Sequence, residues 1–415
     1  VSKKQESEFQ LYTLPNGIKI VHKQVLHTKL AHCGLMLDVG SRDEEKHQYG
    51  IAHFWEHMAF KGTKTRKSID IINSLETVGG ELNAYTTKEK ICFHATILEQ
   101  FTERAVDILA DITFNSTFPE KEIEKERGVI LEEMAMYQDD PEDSIQDEFD
   151  EIIFANHSLG VNILGTEERV KAFQKQDFLD FIEENLDTNK IIFSSVSNWD
   201  FEKVIALATK YLGVIPSKSS KRNRSIFTIN KPKIVERKRN ITQAHCVMGR
   251  ESFSIHHQDR VPFFMLNNIL GGPGMNSRLN LALREKYGFV YGIDSGFTSY
   301  TDTGIFNIYF ATEVKQLEKS VSLVKAELVK LQEKALTPLQ LSNAKAQLKG
   351  QLAIAEENNN SFMLMMARSI LDINKIDTMD VIFEQIDEVT STKLQELANE
   401  IFDIDKFSFL KYIPK

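Results

Sequence analysis

The 415-residue chain is poor in cysteine, and the cysteine it has is not spaced for a structural role. Cys33, Cys92 and Cys246 are odd in number and far apart, which excludes a disulfide framework and a CxxC metal clip. Cys33 and Cys92 fall in apolar, strand-like runs and read as buried thiols. No stretch of 18 apolar residues occurs, so no membrane-spanning helix is expected. A basic excess is missing too: 60 acidic residues against 50 basic ones give a formal charge of -10. No Lys/Arg run is long enough to neutralise a row of phosphates, which argues against nucleic acid as a partner. The two small basic clusters, at 218–224 and 237–239, read as a solvated connector. Residues 1–5 contain no apolar signal core. The compartment is therefore unknown: cytoplasmic is slightly favoured, and periplasmic or organellar stays open if a leader was removed.

What is present is an ordinary globular balance, 42% hydrophobic and 27% charged, in a chain long enough for more than one domain. Alternating apolar runs predict strands at 9–14 and 18–23, joined by the turn Pro15-Asn16-Gly17, and a third at 30–37. Helical periodicity covers 50–60 and 68–78, the latter with Ser68 as N-cap. Gly79-Gly80 ends that helix and opens a strand pair at 81–85 and 91–98. Amphipathic helices are expected at 99–114, 119–139 and 143–154, the last two separated by Asp139-Asp140-Pro141. A strand at 191–196 and a helix after Trp199 complete this half. Residues 214–232, rich in Ser, Lys, Arg and Asn with two prolines, read as an interdomain linker. The order then begins again, with strands at 233–238 and 243–249, a helix at 260–270, and strands at 289–297 and 304–311. Long helices fill 314–401, and a last strand spans 407–412. The expected class is α+β: two similar half-domains, 1–213 and 233–415, each an antiparallel-rich sheet packed on long helices.

One segment stands apart: Gly50-Ile51-Ala52-His53-Phe54-Trp55-Glu56-His57-Met58-Ala59-Phe60-Lys61-Gly62-Thr63. On a helix His53 and His57 lie one turn apart on one face, a spacing that lets two imidazoles share one Zn²⁺. Glu56 sits beside both, where a carboxylate can act on a water without binding the metal. The order is the inverse of H-E-x-x-H. The bland alternative is a helix with two unrelated histidines, and a third ligand has to decide between them. The best acid source is the helix carrying Glu126 and Glu133, seven residues apart and so on a common face. Glu132 is turned about 100° away from Glu133 and is the weaker candidate. Two imidazoles and a carboxylate also suit Mn²⁺ or Co²⁺.

These residues resemble the pitrilysin-like family of zinc peptidases, and the resemblance runs over nearly the whole chain. Residues 50–63 are similar to the family signature, with Trp55 where members more often have leucine. The resemblance implies a zinc endopeptidase, a hydrolase holding one Zn²⁺ per chain. His53, His57 and Glu133, the last 76 residues past His57, would be the metal ligands. Glu56 would be the general base, and Glu126 an acid that orients a ligand. Gly79-Gly80-Glu81-Leu82-Asn83-Ala84-Tyr85-Thr86 is similar to the segment whose Asn and Ala, here Asn83 and Ala84, contact the substrate backbone. The following strand, near 91–96, is similar to an edge strand that receives an extended peptide. In the second half, residues 271–279 resemble a glycine-rich loop, and residues 284–291 resemble the motif whose Arg and Tyr, here Arg284 and Tyr291, complete the site. The implied substrates are short unfolded peptides, bound as an added strand in a closed chamber. With both motifs in one chain a homodimer is expected, or pairing with a related chain, with Arg284 and Tyr291 acting in cis or in trans. The competing readings are a non-catalytic scaffold and a peptide-binding subunit of the same fold.

Overall fold

The computed structural model describes residues 9–220 and 222–415; the N-terminal residues 1–5, read above for a signal core, lie outside the described residues. The first strands are β1 (Gln10–Thr13), β2 (Lys19–Gln24), β3 (Leu30–Leu37), β4 (Glu81–Thr86), β5 (Ile91–Leu98) and β6 (Ile191–Ser197). They form a mixed sheet in the order β1-β2-β6-β3-β5-β4. A second sheet contains β7 (Ile234–Arg239), β8 (Ala244–Ser252), β9 (Val290–Ser299), β10 (Gly304–Thr312) and β11 (Ser408–Pro414), in the order β7-β11-β8-β10-β9. Leaving β1 aside, the two orders are the same. In each sheet one pair is parallel, β2 with β6 and β7 with β11, and the other pairs are antiparallel. The expected α+β class with two similar half-domains is what the chain adopts. The sequence expectation placed Ser68 as a helix N-cap; that position is taken by Lys67, whose N–H donates to Asp70 Oδ2 at 3.1 Å.

In the first half the helices are α1 (Ile51–Ala59), α2 (Ser68–Glu76), α3 (Thr102–Phe114), α4 (Glu120–Asp139) and α5 (Pro141–Ile153). The chain divides into two compact units. The first runs up to Met134 and includes Val161–Arg224 and Ala355–Ile376; the second contains Ala135–Gly160, Ser225–Ile354 and Asp377–Lys415. Each is discontinuous, whereas the sequence expectation drew contiguous halves of 1–213 and 233–415. The reason is packing. In the first unit the helix Asn359–Ile373 places Phe362, Met363, Met366 and Ile370 against Val21, Met36, Ile192 and Val196 of the six-stranded sheet. Ser194 Oγ on β6 donates to the Met363 carbonyl at 2.7 Å. In the second unit α5 packs Ile145, Phe149, Ile152 and Ile153 against Val247, Tyr309 and Leu410 of the five-stranded sheet. An amphipathic pattern shows that a helix has an apolar face, but not which sheet covers it.

Among the described residues the reading of the basic clusters as a solvated connector needs a correction: Arg222 and Arg224 are paired and mostly covered, and Arg237 and Arg239 belong to a strand. The Arg222 and Arg224 side chains are each only 13% exposed, and the Asp43 side chain is fully buried beneath them. Arg224 Nε lies 2.8 Å from Asp43 Oδ1 and its Nη1 lies 3.0 Å from Asp38 Oδ1. Arg42 Nη1 reaches Glu89 Oε1 at 2.6 Å in the same cluster. Arg237 and Arg239 lie on β7 and both pair with Glu148. Composition alone cannot distinguish a hydrated arginine from one whose carboxylates are supplied by distant segments.

Breaking one member of a buried ion cluster leaves an uncompensated charge, so Arg224→Ala is expected to cost on the order of 3 kcal/mol. Both tryptophans, Trp55 and Trp199, lie in the first unit, so its unfolding can be followed by fluorescence in urea. A loss below about 1 kcal/mol, the range of exposed pairs, would show that this arginine is solvated after all.

Candidate metal centre

Helix α1 has only nine residues, too few to be stable without tertiary support. Its N-cap is Gly50 at φ 99°, with no capping side chain of its own. The cap comes from outside: Glu44 Oε2 accepts from Gly50 N and Oε1 from Ala52 N, each at 2.9 Å. Burial pushes this carboxyl well up, and the two N–H bonds offset that only in part. Gly50 also meets Leu164 closely: a Cβ there would lie 2.6 Å from the Leu164 carbonyl oxygen. Another residue at Gly50 would therefore be both strained and crowded. The apolar side of α1 is locked by aromatic contacts, Phe54 against Phe173 and Phe178, and Trp55 against Phe93 and Phe181. Full burial of side chains this size contributes about 1.5–3 kcal/mol each.

The other side of α1 carries His53, Glu56 and His57 and meets α4. The two Nε2 atoms of His53 and His57 stand 3.2 Å apart. Glu133 on α4 approaches both, with Oε1 3.8 Å from His53 Nε2 and Oε2 3.4 Å from His57 Nε2. Among the described residues these three form the one group of three or more His, Cys, Asp or Glu side chains able to share a metal ion. Ligand atoms of a tetrahedral ion bound at about 2.0–2.2 Å lie roughly 3.3–3.6 Å from one another. The set therefore fits a zinc ion, with only the His53–Glu133 gap somewhat wide. Glu132, one residue earlier, is exposed.

The surrounding bonds fix how these groups point. Glu126 Oε1 lies 3.0 Å from His57 Nδ1, so Nδ1–H can donate to it and leave Nε2 as the metal-facing atom. His53 Nδ1 is buried without a hydrogen-bond partner among the described residues. Burial and then the neighbouring His57 pull His53 down to about 4. Burial opposes a charge on His57 too, but the carboxylates of Glu126 and Glu133 outweigh it and hold His57 up at about 9. Burial would raise Glu126, yet His57 and Lys61 bring it below the usual carboxylate range. The bond from His57 lowers Glu133. Glu56 goes the other way: burial raises it, and a 2.6 Å hydrogen bond from Thr86 Oγ1 offsets that only in part. A carboxylate close to the histidines, with a raised pKa, is suited to moving protons near neutral pH.

Thr86 ends β4, and β4 carries Asn83 and Ala84. Here the structure corrects the sequence expectation. The strand at 91–96 is β5, which is paired on both sides, with β3 and β4. The edge of the sheet is β4 itself, so among the described residues one row of its backbone donors and acceptors is unpaired. The more apolar strand of the hairpin, with Ile91, Phe93, Ala95 and Ile97 buried, took the interior place. Arg284 and Tyr291 lie in the second unit, in the helical turn Asn280–Glu285 and on β9. Tyr291 is 91% exposed, and the Arg284 guanidinium stands 5.7 Å from its ring centroid. Glu44, Lys61 and Thr86 had no assigned role in the sequence reading. Thr86 and Lys61 stand within recognisable segments, 79–86 and 50–63, but neither has a spacing that marks a function.

Residues 19–167 match the family model for insulinase, peptidase family M16, and residues 172–348 match the model described as the peptidase M16 inactive domain. Similar proteins include an uncharacterized zinc protease of Bacillus subtilis strain 168, 33% identical over 95% of this chain and 96% of that one. Another is an uncharacterized zinc protease of Rickettsia felis, 31% identical over 96% of each. Among solved structures, a protease from Helicobacter pylori gives a TM-score of 0.90 at 20% identity, over 98% of this chain and 99% of that one. A Pseudomonas fluorescens structure described as a peptidase M16 inactive domain gives 0.90 at 18% identity, over 98% of each. At those identities the structural likeness shows the fold.

If Glu44 holds α1 in place, Glu44→Ala should cost about 1–2 kcal/mol, the range for loss of a cap, and should raise the zinc Kd. A calorimetric titration giving an unchanged Kd would contradict that role.

Proposed function

This chain belongs to peptidase family M16, the insulinase family, and we propose that it is a zinc-dependent endopeptidase that cleaves short unfolded peptides. The observation that carries the reading is the convergence of His53, His57 and Glu133 on one point, with Glu56 beside them. All four residues lie within 19–167, outside the span that matches the inactive-domain model. When bound there, zinc supplies Lewis acidity that polarises a peptide carbonyl and makes water easier to deprotonate.

The chain's own groups then divide the remaining work. Glu56 accepts a proton from the attacking water and returns it to the leaving amine, so one carboxyl serves as base and then acid. Thr86 holds Glu56 Oε2 and keeps the other oxygen for that exchange. Glu126 fixes the His57 ring through Nδ1. The peptide adds as a strand to the free edge of β4, where Asn83 and Ala84 contact its backbone, and a folded domain with no free strand edge is excluded. Arg284 and Tyr291 are proposed as substrate contacts; the exposed phenol and the cation beside it support that role. A homodimer enclosing a chamber is proposed on the ground that one chain carries both motifs.

Glu56→Gln is expected to keep bound zinc and to lose cleavage by roughly 10²–10⁴-fold or more, the size of a general acid–base contribution. Glu133→Gln is expected to lose both. Metal analysis and a fluorogenic peptide library, with and without a chelator, read the two effects separately. Equal zinc content in the two variants would remove Glu133 from the ligand set, and chelator-insensitive cleavage would remove the metal from the reaction.

A further inference from the structure

Lys61 follows the C-cap residue of α1 and is four residues past His57. Its Nζ stands 2.7 Å from Glu126 Oε2, while the other oxygen of the same carboxylate stands 3.0 Å from His57 Nδ1. The Glu126 side chain is 8% exposed, so this is not one of the hydrated surface pairs that contribute almost nothing. One buried carboxylate therefore bridges an ammonium and the imidazole that faces the metal point.

We propose that Lys61 is a positioning residue of the metal centre, holding Glu126 so that Glu126 in turn holds His57. The terminal torsion of a glutamate is soft and roughly two-fold. A carboxylate with a single partner can rotate about it and swing the bond to His57 out of line. A second, charge-assisted bond on the opposite oxygen removes that freedom. Charge works in the same direction. Glu126 and Glu133 occupy one face of α4 and repel each other, and the Lys61 ammonium on Glu126 Oε2 offsets that repulsion. Without Lys61, the repulsion between the two carboxylates would be less well offset and the His57 ring would lose its fixed orientation.

This inference rests on the zinc-site reading above, and the test keeps the two separable. Zinc Kd is measured by competition with a chromophoric chelator for wild type, Lys61→Met, Lys61→Arg, Glu126→Gln and the double variant Lys61→Met/Glu126→Gln, with melting of the metal-free proteins as the folding control. Lys61→Met is expected to weaken zinc binding roughly tenfold, the low end for loss of a group that orients a ligand. Lys61→Arg should restore it to within about threefold, because a guanidinium can hold the same oxygen. In the Glu126→Gln background, Lys61→Met should change nothing further, since the group it acts through is gone. Should Lys61→Met melt far below wild type, Lys61→Gln takes its place in the series. An unchanged Kd in Lys61→Met, or a full tenfold loss persisting beside Glu126→Gln, would overturn the role of Lys61 while leaving the zinc site standing. Wild-type protein that binds no zinc would overturn both.

Discussion

A nine-residue helix cannot by itself hold two imidazole nitrogens 3.2 Å apart and aim them at a carboxylate on another helix. Everything else in the first unit depends on that constraint being met. Helix α1 is fixed at its start by Glu44, which takes two of its unpaired N–H groups, and along its apolar side by Phe54 and Trp55. Near its end, Lys61 and Glu126 join it to α4. With its start, its end and its apolar side held, the helix has little freedom to turn. His53, Glu56 and His57 then face α4 and β4 as a rigid row, which is what a metal or proton-transfer site requires.

The same geometry separates two kinds of carboxylate within a few ångströms. Glu126 and Glu133 point at cationic or imidazole groups and stay below the usual range, so they remain anionic and hold their partners. Glu56 is buried with a hydroxyl as its hydrogen-bond donor, and it rises. Divergent environments around neighbouring carboxylates are how one site divides holding from proton transfer. The edge of β4, unpaired among the described residues, ends at Thr86, the residue bonded to Glu56, so strand addition would place a peptide backbone next to that carboxyl.

Much of this could be read from the sequence, and the limits have physical causes. His53, Glu56 and His57 are close in the chain, and helix geometry alone puts them together. Glu126 and Glu133 were legible as a pair on one face, but their meeting with α1 depends on tertiary packing, and only the family resemblance pointed to it. Strand alternation located β4 and β5 but not their order in the sheet, and the edge was assigned to the interior strand on the family resemblance alone. Arg222 and Arg224 looked like surface charge because their partners Asp38 and Asp43 lie some 180 residues earlier. The helices α5 and Asn359–Ile373 were found as helices, and the sheet that each covers was not. Glu44 was invisible for the same reason as the arginines: its role is defined by backbone groups across a loop, not by a pattern of side chains.

The most direct test of the account is the position of the metal itself. Crystals of zinc-loaded protein, measured on both sides of the zinc absorption edge, would give an anomalous difference map. The account predicts one peak in each chain, about 2.0–2.2 Å from His53 Nε2, His57 Nε2 and a Glu133 oxygen, with Glu56 close by but not bound to it. A peak held by other residues, or none at all from protein shown to fold, would contradict it.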